Sequence, residues 1–164
     1  MMQFMFAALV FLAHAMSINA GTNFFSTWKL DCPSGQSIRH ISSVHSNYHE
    51  DRSWTFTCRS DPVTQSTCSW SGWVNLFGEM ILYQCKDGVI AGVQSYHNKY
   101  HKDRRYSFKC CKAKSYTRIC TWTGFVNNWD GYVTYGVRHN YYLVGLFSYH
   151  SKGHGDRRWR FLTC

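Results

Sequence analysis

The chain has 164 residues, with 18 Lys and Arg against 9 Asp and Glu for a formal charge of +9, and aromatics make up 18% of it. That length supports a domain with a real core, and the aromatic content excludes a disordered chain and favours strands over helices. The charge points to anionic partners.

From the N-terminus, Phe4 to Ala15 is an apolar run too short to span a bilayer. It reads as the core of a signal peptide over residues 1–20, cleaved after Ala15 or after Ala20. Residues 21–164 then form a single secreted domain. All eight cysteines lie in it: Cys32, Cys58, Cys68, Cys85, Cys110, Cys111, Cys120 and Cys164. An even count in a secreted chain reads as a disulfide framework, and the absence of any Cys-x2-Cys pair argues against a zinc-thiolate site.

The domain is built of three tandem units, about 21–67, 68–119 and 120–164. Each closes on Asp-Arg-x-(Trp/Tyr)-x-Phe: Asp51, Arg52, Trp54 and Phe56; Asp103, Arg104, Tyr106 and Phe108; Asp156, Arg157, Trp159 and Phe161. The separations are 52 and 53 residues. An opening motif repeats with the same period, Cys68-Ser-Trp-Ser-Gly-Trp-Val-Asn75 against Cys120-Thr-Trp-Thr-Gly-Phe-Val-Asn127.

Polar–apolar alternation and β-rich composition predict short strands near Trp70–Leu76, Met80–Cys85, Val89–Tyr96 and Tyr106–Lys112, with a hairpin turn at Lys86-Asp87-Gly88. Three units of about four strands predict an all-β, closed, pseudo-three-fold fold, trefoil-like or prism-like, which would leave no aggregation-prone edge. Neighbouring side chains on a strand point to opposite faces, so Cys110 and Cys111 require two different partners. Eight cysteines allow 105 pairings, and spacing alone does not choose among them.

These marks together resemble the dermatopontin family: the triplicated Asp-Arg-x-(Trp/Tyr)-x-Phe, the Tyr83-Gln84-Cys85 start and the Cys110–Cys111 pair after Phe108. The resemblance runs from about Phe24 to Cys164 and is to the short invertebrate type, the haemagglutinin/amebocyte aggregation factors among them. It implies the bridges Cys32–Cys58, Cys68–Cys110, Cys85–Cys111 and Cys120–Cys164. It implies an extracellular matrix or cell-adhesion role, with agglutination or biomineral roles as the alternative. There is no Arg-Gly-Asp and no Asn-x-Ser/Thr acceptor in the chain.

Three features bear on function. The Asp-Arg pairs read as structural, Asp holding a turn and Arg pairing with a neighbouring unit. Each unit also carries a His-x3-His-x-Asp loop, with His45 and His49, His97 and His101, and His150 and His154. Two imidazoles and a carboxylate are possible Zn²⁺ or Cu²⁺ ligands, against the plainer reading of a duplicated polar loop. Basic residues crowd the ends of units two and three, with Lys99, Lys102, Arg105, Lys109, Arg158 and Arg160 as candidates for binding sulfated or carboxylated polysaccharides. No catalytic motif is present, and the eight cysteines are committed to bridges. The expected protein is therefore a secreted, non-enzymatic binder of anionic polysaccharide, matrix proteins and cell surfaces, without a required cofactor, nucleic-acid partner or membrane span. A soluble lectin or haemagglutinin is the alternative.

Overall fold

Alternating residues of β-branched and aromatic type do build strands throughout. The computed structural model describes residues 18–60, 64–114 and 119–164, and among these there is no helix. Most of the expected leader lies outside the described residues. Twelve strands follow in order: β1 (Ile18–Gly21), β2 (Trp28–Asp31), β3 (Gln36–Ser46), β4 (Asp51–Ser60), β5 (Thr64–Trp70), β6 (Ile81–Gln84), β7 (Gly88–Asn98), β8 (Asp103–Ala113), β9 (Thr121–Trp122), β10 (Val133–Gly136), β11 (Leu143–Ser151) and β12 (Asp156–Thr163).

They form three four-stranded sheets, β1-β4-β3-β10, β2-β7-β8-β5 and β6-β11-β12-β9. Each sheet is built the same way. A long hairpin of one unit lies at its centre (β3–β4, β7–β8 or β11–β12), and the unit's own opening strand covers one edge. The other edge is covered by a short strand from the preceding unit. Unit one lends β2 to unit two, unit two lends β6 to unit three, and unit three lends β10 back to unit one. No unit completes its own sheet. Each lent strand still packs on its parent: Trp28 meets Phe56, Tyr83 meets Phe108, and Tyr135 meets Phe161, with ring centroids 4.9–5.7 Å apart.

Two expectations need correction. Lys86-Asp87-Gly88 is not a hairpin turn, because β6 pairs with β11 while β7 pairs with β2 and β8. The chain there passes from one sheet to another, and Gly88 is needed because a Cβ would lie 2.1 Å from the Cys111 carbonyl oxygen. The opening strand of unit two ends at Trp70 rather than running to Leu76. Gly72 turns the chain at a positive φ of 72°. Beyond it the Asn75 side chain replaces the ladder, accepting from Tyr106 N and donating to Arg104 O.

The disulfides follow the sheet register. Cys32–Cys58 and Cys120–Cys164 are joined as the resemblance implies. The other two are exchanged: Cys68 bonds Cys111 and Cys85 bonds Cys110. The cause is pairing. Cys68 stands directly opposite Cys111 in the β5–β8 ladder, with Cα atoms 4.0 Å apart. Cys110 turns to the other face, where Cys85 follows β6 and donates its N–H to Val144 O. In unit three Val137 stands where Cys32 and Cys85 stand, donating to Arg39 O just as they donate to Ala91 O and Val144 O.

Where the hairpins converge, the Asp-Arg motifs close a ring. Arg104 grips Asp51 with Nε and Nη2 at 2.6 and 2.8 Å, Arg157 grips Asp103 at 2.7 and 2.7 Å, and Arg52 grips Asp156 at 2.5 and 2.8 Å. All six residues are at most 4% exposed. Every arginine therefore reaches back into the preceding unit, and unit one reaches into unit three. Beneath the ring Trp54, Tyr106 and Trp159 meet edge to face, and burial pushes the Tyr106 phenol far up. Removing one partner of a buried pair strands its charge, at a cost of about 3–5 kcal/mol. Asp103→Ala is expected to lower stability by about that much in urea titration. Asp87→Ala, on the surface, should change it by less than about 0.5 kcal/mol.

Candidate functional site: a paired aromatic and arginine surface

The ring leaves no room for a ligand of any size. Each carboxylate is also held by a backbone N–H from a tight turn: Phe25 N on Asp51, Gly78 N on Asp103 and Asp130 N on Asp156, at 2.8–2.9 Å. All three donors sit at positive φ, 60–80°. The arginines cap carbonyls of the same turns, at Ser26, Glu79 and Gly131. The open depression lined by the ring residues is about 20 Å³, enough for a single water. The Asp-Arg motif is thus consumed in joining the units.

The histidines divide by position. The first of each pair faces the neighbouring unit. His45 Nε2 bonds Gly155 O at 3.2 Å and His150 Nε2 bonds Lys102 O at 2.9 Å. His97 lies against the Glu50 backbone without a well-formed hydrogen bond. The carbonyl-bearing residues Glu50, Lys102 and Gly155 all have positive φ. Gly155 has no room for a side chain, since a Cβ would meet Glu50 at 2.7 Å. The second histidine of each pair stacks on an aromatic ring from the turn: His49 on Phe24, His101 on Phe77 and His154 on Trp129, each within 8° of parallel. The two imidazoles of a loop are therefore put to separate uses. Among the described residues the donors that do converge are His45, Asp130 and Asp156, within 4.8 Å of one another, but Arg52 already grips both oxygens of Asp156.

The six basic candidates also separate. Lys102 pairs with Glu50 and Lys109 with Asp31, both at 2.5 Å. Lys99 lies over the Phe25 ring at 4.4 Å. No ion pair among the described residues involves Arg105, Arg158 or Arg160. These three sit on the outward side of β8 and β12 and lie among rings. Arg158 is 4.4 Å and Arg160 5.7 Å from the Phe125 centroid. Arg160 also lies 5.8 Å from Trp122, and Arg105 lies between Trp73 and Tyr96 at 5.9 and 6.0 Å. Outer faces of antiparallel sheets are ordinarily polar. Here β8 and β12 carry aromatic neighbours and three arginines that have no ion pair among the described residues.

The chain is thus a disulfide-bonded, all-β scaffold with arginines and aromatic rings on its outer faces. The chain belongs to the dermatopontin family, whose model matches residues 22–164. It is 42% identical over 137 residues to the hemagglutinin/amebocyte aggregation factor of Limulus polyphemus, covering 81% of this chain and 79% of that one. It is 40% identical over 135 residues to the dermatopontin of Biomphalaria glabrata, covering 81% and 90%. Human dermatopontin is 28% identical over 145 residues, covering 81% and 70%. No solved structure matches the chain significantly.

Burial lowers the pKa of His97 and of His150 below the ordinary histidine value. The unfolded chain then binds protons that the folded one refuses. Their contribution to stability is fully present above the ordinary value of about 6.5 and is lost as pH falls through it. The melting temperature is expected to drop between about pH 7.5 and pH 5.5. A His97→Gln/His150→Gln variant should show a flatter profile in differential scanning calorimetry.

Proposed function

We propose that this chain is a secreted, non-enzymatic protein of the extracellular space or matrix that binds anionic polysaccharide and thereby joins cells or matrix. The observation that carries this reading is the pair Arg158 and Arg160 beside Phe125, neither of which has an ion pair among the described residues. A cation over an aromatic face with its charge unspent favours a ligand that has both a ring and a negative charge. The names of the relatives fit the reading: one is a haemagglutinin and aggregation factor and several are dermatopontins. The four disulfides suit an oxidising compartment. The cyclic lending of strands supports a closed, pseudo-three-fold arrangement of the units.

Export calls for removal of the leader, and the proposed cut is after Ala15. Cleavage after Ala20 would remove all but one residue of β1, whose register runs from Ile18 opposite Cys58 to Gly21 opposite Thr55. The intact mass of the secreted protein should correspond to a chain starting at Met16; a chain starting at Gly21 would contradict the assignment.

Binding is tested on a heparin column beside a cation exchanger of equal charge density. The protein should elute from heparin at the higher salt. Elution at the same salt from both would reduce the interaction to bulk charge. Haemagglutination inhibited by a neutral sugar and not by heparin would favour the lectin reading instead.

A further inference from the structure

Comparison of the three outer faces shows that two are alike and one is not. In unit two an edge-to-face contact joins Trp73 to Tyr96 (4.8 Å, 79°), a second joins Tyr96 to Phe77 (5.5 Å, 90°), and His101 stacks on Phe77 (4.8 Å, 6°). In unit three the same chain of contacts runs Phe125 to Tyr149 (5.4 Å, 79°), Tyr149 to Trp129 (5.2 Å, 88°) and Trp129 to His154 (4.9 Å, 8°). The residues lie 52 or 53 positions apart. The cation is also placed alike. Arg105 Nε donates to Asn75 O at 2.7 Å and its Nη1 to Tyr96 Oη at 3.1 Å. Arg158 Nε donates to Asn127 O at 3.0 Å and its Nη1 to Tyr149 Oη at 3.4 Å.

Unit one keeps only the outer end, the Phe24–His49 stack. By the same spacing Val44 replaces the tyrosine, Ser53 the arginine and Gly21 the Trp/Phe. Val44 is left 45% exposed there, without the ring network.

Resting on the polysaccharide reading above, we infer that these two ledges are the binding sites, that each takes one sugar ring bearing a carboxylate or sulfate, and that the monomer is bivalent rather than trivalent. Trp73 and Phe125, 42% and 39% exposed, supply the exposed apolar surface for an apolar sugar face. The guanidinium beside each supplies the charge. Among the described residues both guanidinia bond only neutral oxygens, a carbonyl and a phenol, so they are oriented in advance without an ion pair. Preorganised charge of this kind costs little entropy on binding. Two sites on one rigid body can bridge two polysaccharide chains, and avidity then amplifies weak single contacts.

The test uses heparin-coated beads and three variants: Trp73→Ala/Arg105→Gln, Phe125→Ala/Arg158→Gln, and all four substitutions together. Sedimentation and thermal melts establish that each is folded and in the wild-type oligomeric state. Wild-type protein should aggregate the beads. Each two-substitution variant should still bind a single bead surface yet need at least about tenfold more protein to aggregate beads. The four-substitution variant should elute from heparin with the matched cation exchanger. Aggregation at wild-type concentration by either two-substitution variant would overturn bivalency. Unchanged heparin retention of the four-substitution variant would overturn the ledges while leaving the polysaccharide reading standing. Absence of selective heparin retention in the wild type would overturn that reading itself.

Discussion

Three buried arginine–carboxylate pairs, each spanning two units, are what the remainder of the structure depends on. A guanidinium and a carboxylate taken out of water together stabilise a fold only when every lone pair and proton is matched. This ring approaches that condition: each carboxylate receives two N–H groups from an arginine and one from the backbone of a positive-φ turn. The geometry has a consequence for specificity. An arginine that must reach the preceding unit fixes how the units are arranged, and the lent strands β2, β6 and β10 apply the same constraint through the backbone. The ring and the strand exchange run in opposite senses. Each unit gives a strand forward and a guanidinium back, so neighbouring units are held twice.

The same accounting sorts the positive charge. The chain carries 18 Lys and Arg, but their roles differ by position along one strand. In β8 and β12 the arginine directly after Asp is buried in the ring, and the next one points outward among aromatic rings. Arg104 and Arg105 are neighbours in sequence, yet one is fully neutralised and the other is not. The proposed function rests on the second kind, because a charge with no internal partner is available to an external one. The outer face of unit one differs from the other two, with Val44 and Ser53 where they have the Tyr–Arg pair.

Much of this was legible in the chain, and the limits have physical causes. The 52-residue period placed the three Asp-Arg strands, and the motif read as an arginine pairing with a neighbouring unit. It did not reveal strand lending, because turn chemistry at Lys86–Gly88 is local and does not specify which sheet the next strand joins. The cystine exchange was readable in hindsight. Cys58 and Cys110 stand two residues after the motif phenylalanine, whereas Cys111 and Cys164 stand three after it. Equivalent positions make equivalent bridges, which pairs Cys110 with Cys85 as Cys58 pairs with Cys32. The ledges were present as the repeated Trp73/Phe125, Tyr96/Tyr149 and Arg105/Arg158, but their significance appears only when unit one is set against the other two. Sequence also does not show that Lys102 and Lys109 are paired with Glu50 and Asp31.

The division of arginines into a spent inner set and an unspent outer set is the central claim, and one measurement addresses it directly. Arginine Nε–H resonances of ¹⁵N-labelled protein can be followed during titration with a heparin oligosaccharide. Shifts confined to the outer set, Arg105, Arg158 and Arg160, with Arg52, Arg104 and Arg157 unmoved and protected from solvent exchange, are the predicted result. Movement of the inner set, or a titration in which lysines respond and the outer arginines do not, would contradict it.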